Sequence, residues 1–480
     1  MAKITPRKIW TVVHVLIFLS VVVLSVEIAD LSPRGLLLVA MVCLLYLPII
    51  VRMNLGTLDI FEPIVFANFA LGIMFVARPL SDLATKEMIH MGIPVTSRFD
   101  YALTVALAGV FAFQMGYHSR LTLAGFKDYS RWLPQPPPQF RPLRAGLSGI
   151  ILAVVGVGLF AIFVQQQGGL AALAVLVEGR GASDDAYFAS STGYFYLGLL
   201  MLVPASAMLF AAALTTKKAG WYVGFAICLG IFSAYFLARG DRSHLLPMLS
   251  IPVFWHLFRG SRPRGRNLLL YCALAISMIA IIREVRNVDS YFAPSDMTDA
   301  VLQPWNEALD TLQGADAEMF DTLANELLIV PSAVHFQHGA VVTDLLVRAV
   351  PRAFWPEKST ESMDLIGQTL WPAHYAVARA GAASSIIGNL YADSGFVTVV
   401  LGMLLIGAAL RWFWLWYSKY GDSVGAQLLY ASTMPFTVIL LRGTFPDTFS
   451  RMLFVVAPLL IALRVAGPTA HRIPANSEQR

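Results

Sequence analysis

Residues 146–165, GLSGIILAVVGVGLFAIFVQ, run for twenty positions without a charged side chain. An α-helix of that length is about 30 Å long, the thickness of bilayer hydrocarbon. One such run constrains a chain more than any motif, because it has no comfortable place in water. Here it recurs. Candidate spans fall at 9–28, 35–51, 60–80, 99–118, 146–165, 193–214, 221–238, 245–258, 267–284, 396–417, 426–441 and 451–466. The spans 245–258 and 426–441 are short and carry Pro247, Pro252 and Pro435, which predicts broken or re-entrant helices. The expected fold is therefore all-α: a polytopic membrane protein of about twelve helices.

Composition agrees. Charged residues make up 14% of the chain and apolar ones 57%, with a mean hydropathy of +0.65, against roughly 25% charged for a soluble domain. The three cysteines, Cys43, Cys228 and Cys272, all lie within apolar runs, so no disulfide framework is implied. The first apolar run lacks an Ala-x-Ala cleavage pattern and reads as a retained helix. A net charge of +5 does not call for nucleic acid as a partner, since the basic residues sit in short inter-helix loops.

With the N-terminus inside, alternate loops collect eighteen Lys and Arg, among them Lys8, Arg52, Lys127, Lys217 and Arg262, against nine on the other side. The positive-inside rule then puts both termini in the cytoplasm. The proline-rich LPQPPPQFRP at 133–142 becomes a stiff cytoplasmic connector.

That orientation leaves four arginines unexplained. Arg239 and Arg242 in ARGDR, and Arg442 and Arg451 in LRGTFPDTFSR, fall on the outer side, where the rule disfavours cations. One reading is structural: Arg239 pairs with Asp241, and Arg442 or Arg451 with Asp447. The other is an anion site, since a guanidinium fork binds phosphate oxygens two at a time and keeps its charge at any relevant pH. Arg283 and Arg286, in IIREVRN, extend the same set, with Glu284 as their structural partner.

Residues 285–395 form the one long connection, expected as a helical extracytoplasmic subdomain between membrane regions 1–284 and 396–480. Fifteen of the thirty acidic residues lie in 284–395, and a loop of that length is uncommon without function. In 315–330 the residues Met319, Phe320, Leu323, Leu327 and Leu328 recur at helical spacing. An amphipathic helix is expected there, its apolar stripe on the membrane core and Asp321, Asn325 and Glu326 off that stripe. SSIIGNLYADSG is expected to cap on Ser384 or Ser385 and to stop at Gly395. Asn68 and Gln114, within spans, read as helix–helix glue. No nucleotide loop, HExxH pair or twin-cysteine metal pattern occurs in the sequence, and no cofactor is expected.

Four stretches carry a resemblance: TLDIFEPIVFANFALGIMF (57–75), RGDRSH, PRAFWPEKSTES (351–362) and SSIIGNLYADSGFVTVVLGMLLIGAALRW (384–412). In them the chain resembles the oligosaccharide repeat-unit polymerases, the Wzy-type O-antigen polymerases. The resemblance implies a bacterial inner-membrane glycosyltransferase, active on the periplasmic side without a metal. It would take polyprenyl-pyrophosphate-linked glycans from the membrane lipid and move the growing glycan as a block onto the next lipid-linked unit. It also implies a separate chain-length regulator as partner. Arg239, Arg242, Arg283, Arg286, Arg442 and Arg451 would then bind the pyrophosphate. For the base that takes the acceptor proton, His335 ranks first, Glu326 second and Asp393 third. His338 neighbours the first, and each of these residues also has a purely structural reading. Trp305, Trp355, Trp371, Tyr375 and Tyr391 fit a sugar ligand or an interfacial aromatic belt equally well. An O-antigen ligase shares this architecture but acts on a different acceptor. A transporter would favour internal repeats and charges near the bilayer midplane.

Overall fold

The computed structural model describes residues 6–29, 32–86, 88–129, 140–169, 193–238, 245–263, 318–339, 362–373 and 384–467, with a few single positions besides. Among them, nine helices are long and apolar enough to cross a membrane, and two shorter apolar helices cover His14–Ala29 and Leu246–Phe258. The expected span at 267–284 lies almost wholly outside the described residues, so these do not fix the total at twelve.

Boundaries follow local chemistry. Pro33 opens the helix Pro33–Leu55 behind the Ser32 cap, and Gly56 closes it at φ 71. The expected span 99–118 is the helix Phe99–His118. The proline-bearing spans are broken as anticipated. Leu246–Leu249 is a 3-10 turn leading into Ser250–Phe258. The helix Val424–Thr433 stops before Pro435 and resumes as Phe436–Arg442. The last span begins at Phe445 rather than at 451. Arg451 therefore lies within that helix and pairs at 2.7 Å with Asp447, one turn earlier.

The helices pack as two bodies, each with its own continuous core. The first joins the spans 33–55, 63–85 and 99–118 with the first half of 396–420, whose last turns, at Trp416 and Tyr417, enter the second core. The second joins 142–166, 197–216, 219–238, 246–258, 424–442 and 445–466. Within the first, Phe99–His118 and Phe396–Tyr420 run parallel at very short range. A Cβ at Gly116 would stand 2.0 Å from the Leu404 carbonyl oxygen, and one at Gly407 2.2 Å from that of Phe113. Only glycine admits such an approach, the small-residue logic of helix pairing in lipid. Gly407→Leu is expected to force the pair apart, costing about 3 kcal/mol or more, read as lost folded protein in detergent gel filtration.

Two ends can be told apart. At one, Arg52 and Arg411 both grip the fully buried Glu62 at 2.6–2.8 Å, and the Tyr117 hydroxyl donates to the same carboxylate at 2.7 Å. Asp59, in the DIFEP turn, caps the Phe61 amide and pairs with Arg262, while Tyr430 donates to the Phe61 carbonyl. That turn thus ties the two bodies together. Asn68 donates to the Leu45 carbonyl at 2.7 Å and receives Gln114 at 2.9 Å, the inter-helix role expected of both.

At the opposite end, Arg34 pairs with Asp100, and the described parts of the long connection lie down as helices. The helices Met319–Ile329, Ser362–Leu370 and Ile386–Ser394 share the first core with the spans beneath them. Phe320, for example, meets Phe99 edge-on at 4.8 Å.

Candidate functional site

The candidate site is built on this loop end. The span starting at Pro63 passes through a π-helical turn, Ile73–Ala77, and delivers Arg78 at the loop end. Such turns re-aim the residues that follow and are frequent at functional sites. Arg78 reaches across to the 319–329 helix, its Nε and Nη2 lying 2.8 and 2.7 Å from Asp321 Oδ2. Its Nε also lies 3.1 Å from Asp82 Oδ1. All three side chains are buried. Beside them a two-stranded hairpin, Ile89–His90 with Ile93–Pro94, brings His90 Nδ1 to 3.4 Å from Glu318 Oε2 and its ring edge-on to Trp371 at 5.6 Å. Burial holds the His90 imidazole below its ordinary range and pushes the Glu318 carboxyl up.

The 319–329 helix corrects one expectation. Its apolar stripe packs on the core as anticipated, but its polar side is not in water: Asp321, Asn325 and Glu326 are 2%, 1% and 0% exposed. A second layer covers that side, formed by Arg78 and Asp82, the 362–370 helix and the 386–394 helix. Glu326 is wedged against the backbone of the last of these. A Cβ on Gly388 would fall 2.0 Å from Glu326 Oε2 and 2.6 Å from Ser384 Oγ. Neither Glu326 oxygen makes a well-formed hydrogen bond. Burial pushes its carboxyl up to about 8, the nearby Ser384 hydroxyl offsetting only part of the shift.

A pH dependence follows from the sign of that shift. An unfolded glutamate loses its proton near 4.5, whereas folded Glu326 keeps it to about 8. Between those values the folded chain binds the extra proton, so this group lowers stability as pH rises, by an amount on the order of a few kcal/mol. Glu326→Gln keeps the shape without the charge. It is expected to melt higher than the parent at pH 8 and equally at pH 4.5, measured by thermal unfolding in detergent.

The other expected site residues are distributed as follows. His335 is exposed, just beyond the 319–329 helix, and His338 is exposed with a backbone φ of 37. Asp393 accepts from the Gly339 amide at 2.9 Å and the Ser394 hydroxyl at 3.1 Å, clasping the 335–339 stretch to the end of the 386–394 helix. That helix is capped by Ser385, whose hydroxyl accepts from Gly388 at 3.2 Å, and Gly395 ends it at φ 81. Trp371 and Tyr391 are buried, whereas Trp355 is 45% exposed. Arg239, Arg242, Arg283, Arg286 and Trp305 lie outside the described residues.

Arg442, half-buried, ends the Phe436–Arg442 helix at the seam between the two bodies: Leu441 belongs to the first core, Phe436 and Ile439 to the second. Leu246–Leu249, immediately after the ARGDRSH stretch, packs against that same helix. Sequence reasoning missed Arg78, Asp82, His90 and Glu318. The one local signal was the i, i+4 spacing of Arg78 and Asp82; their partners lie far away in the chain.

The family model of O-antigen polysaccharide polymerase Wzy matches residues 147–466, two thirds of the sequence. The chain belongs to that family. The match takes in the second body, the whole of the long connection and the span 396–420 from the first body. The family's characteristic region therefore includes Asp321, Glu326, His335, Asp393 and Arg442, while Arg78, Asp82 and His90 come from spans ahead of it. No solved structure matches this chain.

Proposed function

We propose that this chain polymerises lipid-linked oligosaccharide repeat units by block transfer. The acceptor hydroxyl oxygen on the incoming unit attacks the anomeric carbon of the growing glycan. The bond from that carbon to the diphosphate oxygen breaks, and polyprenyl diphosphate leaves with the bonding electrons. The hydroxyl proton passes to a base, for which exposed His335 is the first candidate. Family membership supports the reaction class, and lipid-linked glycans are the substrates that class implies. The observation that carries the reading is the placement of Arg442 on the seam between two bodies, at the end where the long connection folds. A lipid-linked diphosphate arriving from the bilayer would meet that seam first, and a fixed guanidinium there stabilises the charge that grows as the anomeric bond breaks. Arg239 and Arg242 are proposed to share the role, the 285–395 segment to form the reaction chamber, and that end to face the periplasm with both termini in the cytoplasm of a bacterial inner-membrane protein. A separate regulator is proposed to set chain length.

Reconstitution tests this. Purified protein supplied only with lipid-linked repeat units is expected to give a ladder of chain lengths. A protein that forms no ladder, but attaches preformed polymer to a lipid A core, would be a ligase and would overturn the proposal.

A further inference from the structure

The buried polar face of the 319–329 helix is not used by the chemistry above. At 100° per residue, Glu318, Asp321, Thr322, Asn325 and Glu326 fall within one arc of about 140°. Buried polar groups are nearly always hydrogen-bonded, yet along this arc and on the residues facing it the pairing fails repeatedly. Asn325 has neither end of its amide paired, and Asn389 Oδ1, His90 Nε2 and Trp371 Nε1 are likewise without partners; Glu326 has the nearby Ser384 hydroxyl. Asn325, Asn389, His90 and Trp371 are each at least nine-tenths buried, and they come from four separate segments of the chain. The rim is at Glu318, whose side chain is 22% exposed.

The chemistry of the set narrows the ligand. It mixes donors with acceptors, as a neutral hydroxyl requires and as a diphosphate does not. Asp82 and Asp321 already take up the one guanidinium there, Arg78, so an anion would find no free cation at this face among the described residues. A hydrocarbon tail would leave every one of these groups unpaired. We propose that this face is a subsite for the ring hydroxyls of the substrate's saccharide, separate from the arginines that hold its diphosphate. It rests on the polymerase reading and adds where the sugar binds.

The test turns on what an unpaired group does when removed. Replacing a buried amide that binds nothing by an apolar side chain of similar size is neutral or stabilising. A subsite residue instead carries affinity, about 10-fold for each hydrogen bond to a sugar hydroxyl that is removed. Asn325→Leu and Asn389→Leu would be assayed with the polyprenyl-diphosphate-linked repeat unit isolated from cells lacking the polymerase. The expected result is a KM raised about 10-fold or more, inhibition by free polyprenyl diphosphate unchanged, and a melting temperature equal to or above the parent's. Parental KM in both variants would overturn the subsite and leave these groups to water. Where a leucine variant does not fold, the wild-type protein gives the answer by amide hydrogen exchange. Free repeat-unit oligosaccharide is expected to add protection over 319–329 and 386–394, and unchanged exchange there overturns the proposal. Added protection in a protein that builds no ladder would sink the polymerase reading alone.

Discussion

Arg78→Ala is expected to cost this protein more stability than any other single change at the loop end. It leaves Asp82 and Asp321, 3% and 2% exposed, without the cation they share. Breaking a buried pair by removing one partner costs about 3–5 kcal/mol, because the charge left behind stays desolvated. Here two acidic side chains lose their cation at once, and the Arg78–Asp321 ion pair is also what fastens the 319–329 helix to the span beneath it. The expected readout is a sharp fall in melting temperature and in the yield of monodisperse protein. Adding Asp82→Asn and Asp321→Asn to Arg78→Ala removes the stranded charges and is expected to recover most of the stability. No recovery would mean that Arg78 acts through packing of its stem rather than through its charge.

The second large effect falls on activity and spares the fold. Arg442 is half-buried at a helix C-terminus, where the dipole favours a cation by about 0.3–1 kcal/mol; Arg442→Ala is expected to keep enough stability to fold, checked by detergent gel filtration beside the activity assay. Removing one preorganised donor from a developing negative charge costs about 10²- to 10³-fold in turnover. Chain extension should therefore fall by that factor or below detection. Arg442→Lys keeps the charge but loses the two-pronged geometry, and it is expected to fall between the two. Extension at the parental rate in both variants would remove Arg442 from the site.

How much of this could be read from the sequence depended on the range of the interaction. Charge-free runs revealed the spans, because desolvating a charge is a local cost that every window of sequence records. The Ser385 cap, the stop at Gly395 and the break at Pro435 were legible for the same reason. The start of the last span was not: Asp447 and Arg451 lower the apolar signal of its first turns, and their mutual pairing, which makes them tolerable there, is not visible to a hydropathy window. Periodicity separated the two faces of the 319–329 helix correctly, yet it cannot say what covers the second face. The cover is formed partly by Arg78, which reaches Asp321 across 243 positions, and by Gly388, whose lack of a side chain leaves room for Glu326. Likewise Glu62 sat in plain view in DIFEP, while Arg411, 349 positions away, does not announce itself as its partner. The candidate base residues were found by residue type, and the structure separated them by setting: His335 exposed, Glu326 sealed, Asp393 holding a turn.

The central claim is that arginines at the loop end grip the departing diphosphate. The most direct measurement is photo-crosslinking with a polyprenyl diphosphate analogue that carries its reactive group beside the phosphates, followed by mapping of the adducts. Adducts within 239–244, 335–339 and 436–451, suppressed by excess lipid-linked repeat unit, are the predicted result. Adducts confined to the opposite end, around Arg52, Arg262 and Arg411, would contradict the account.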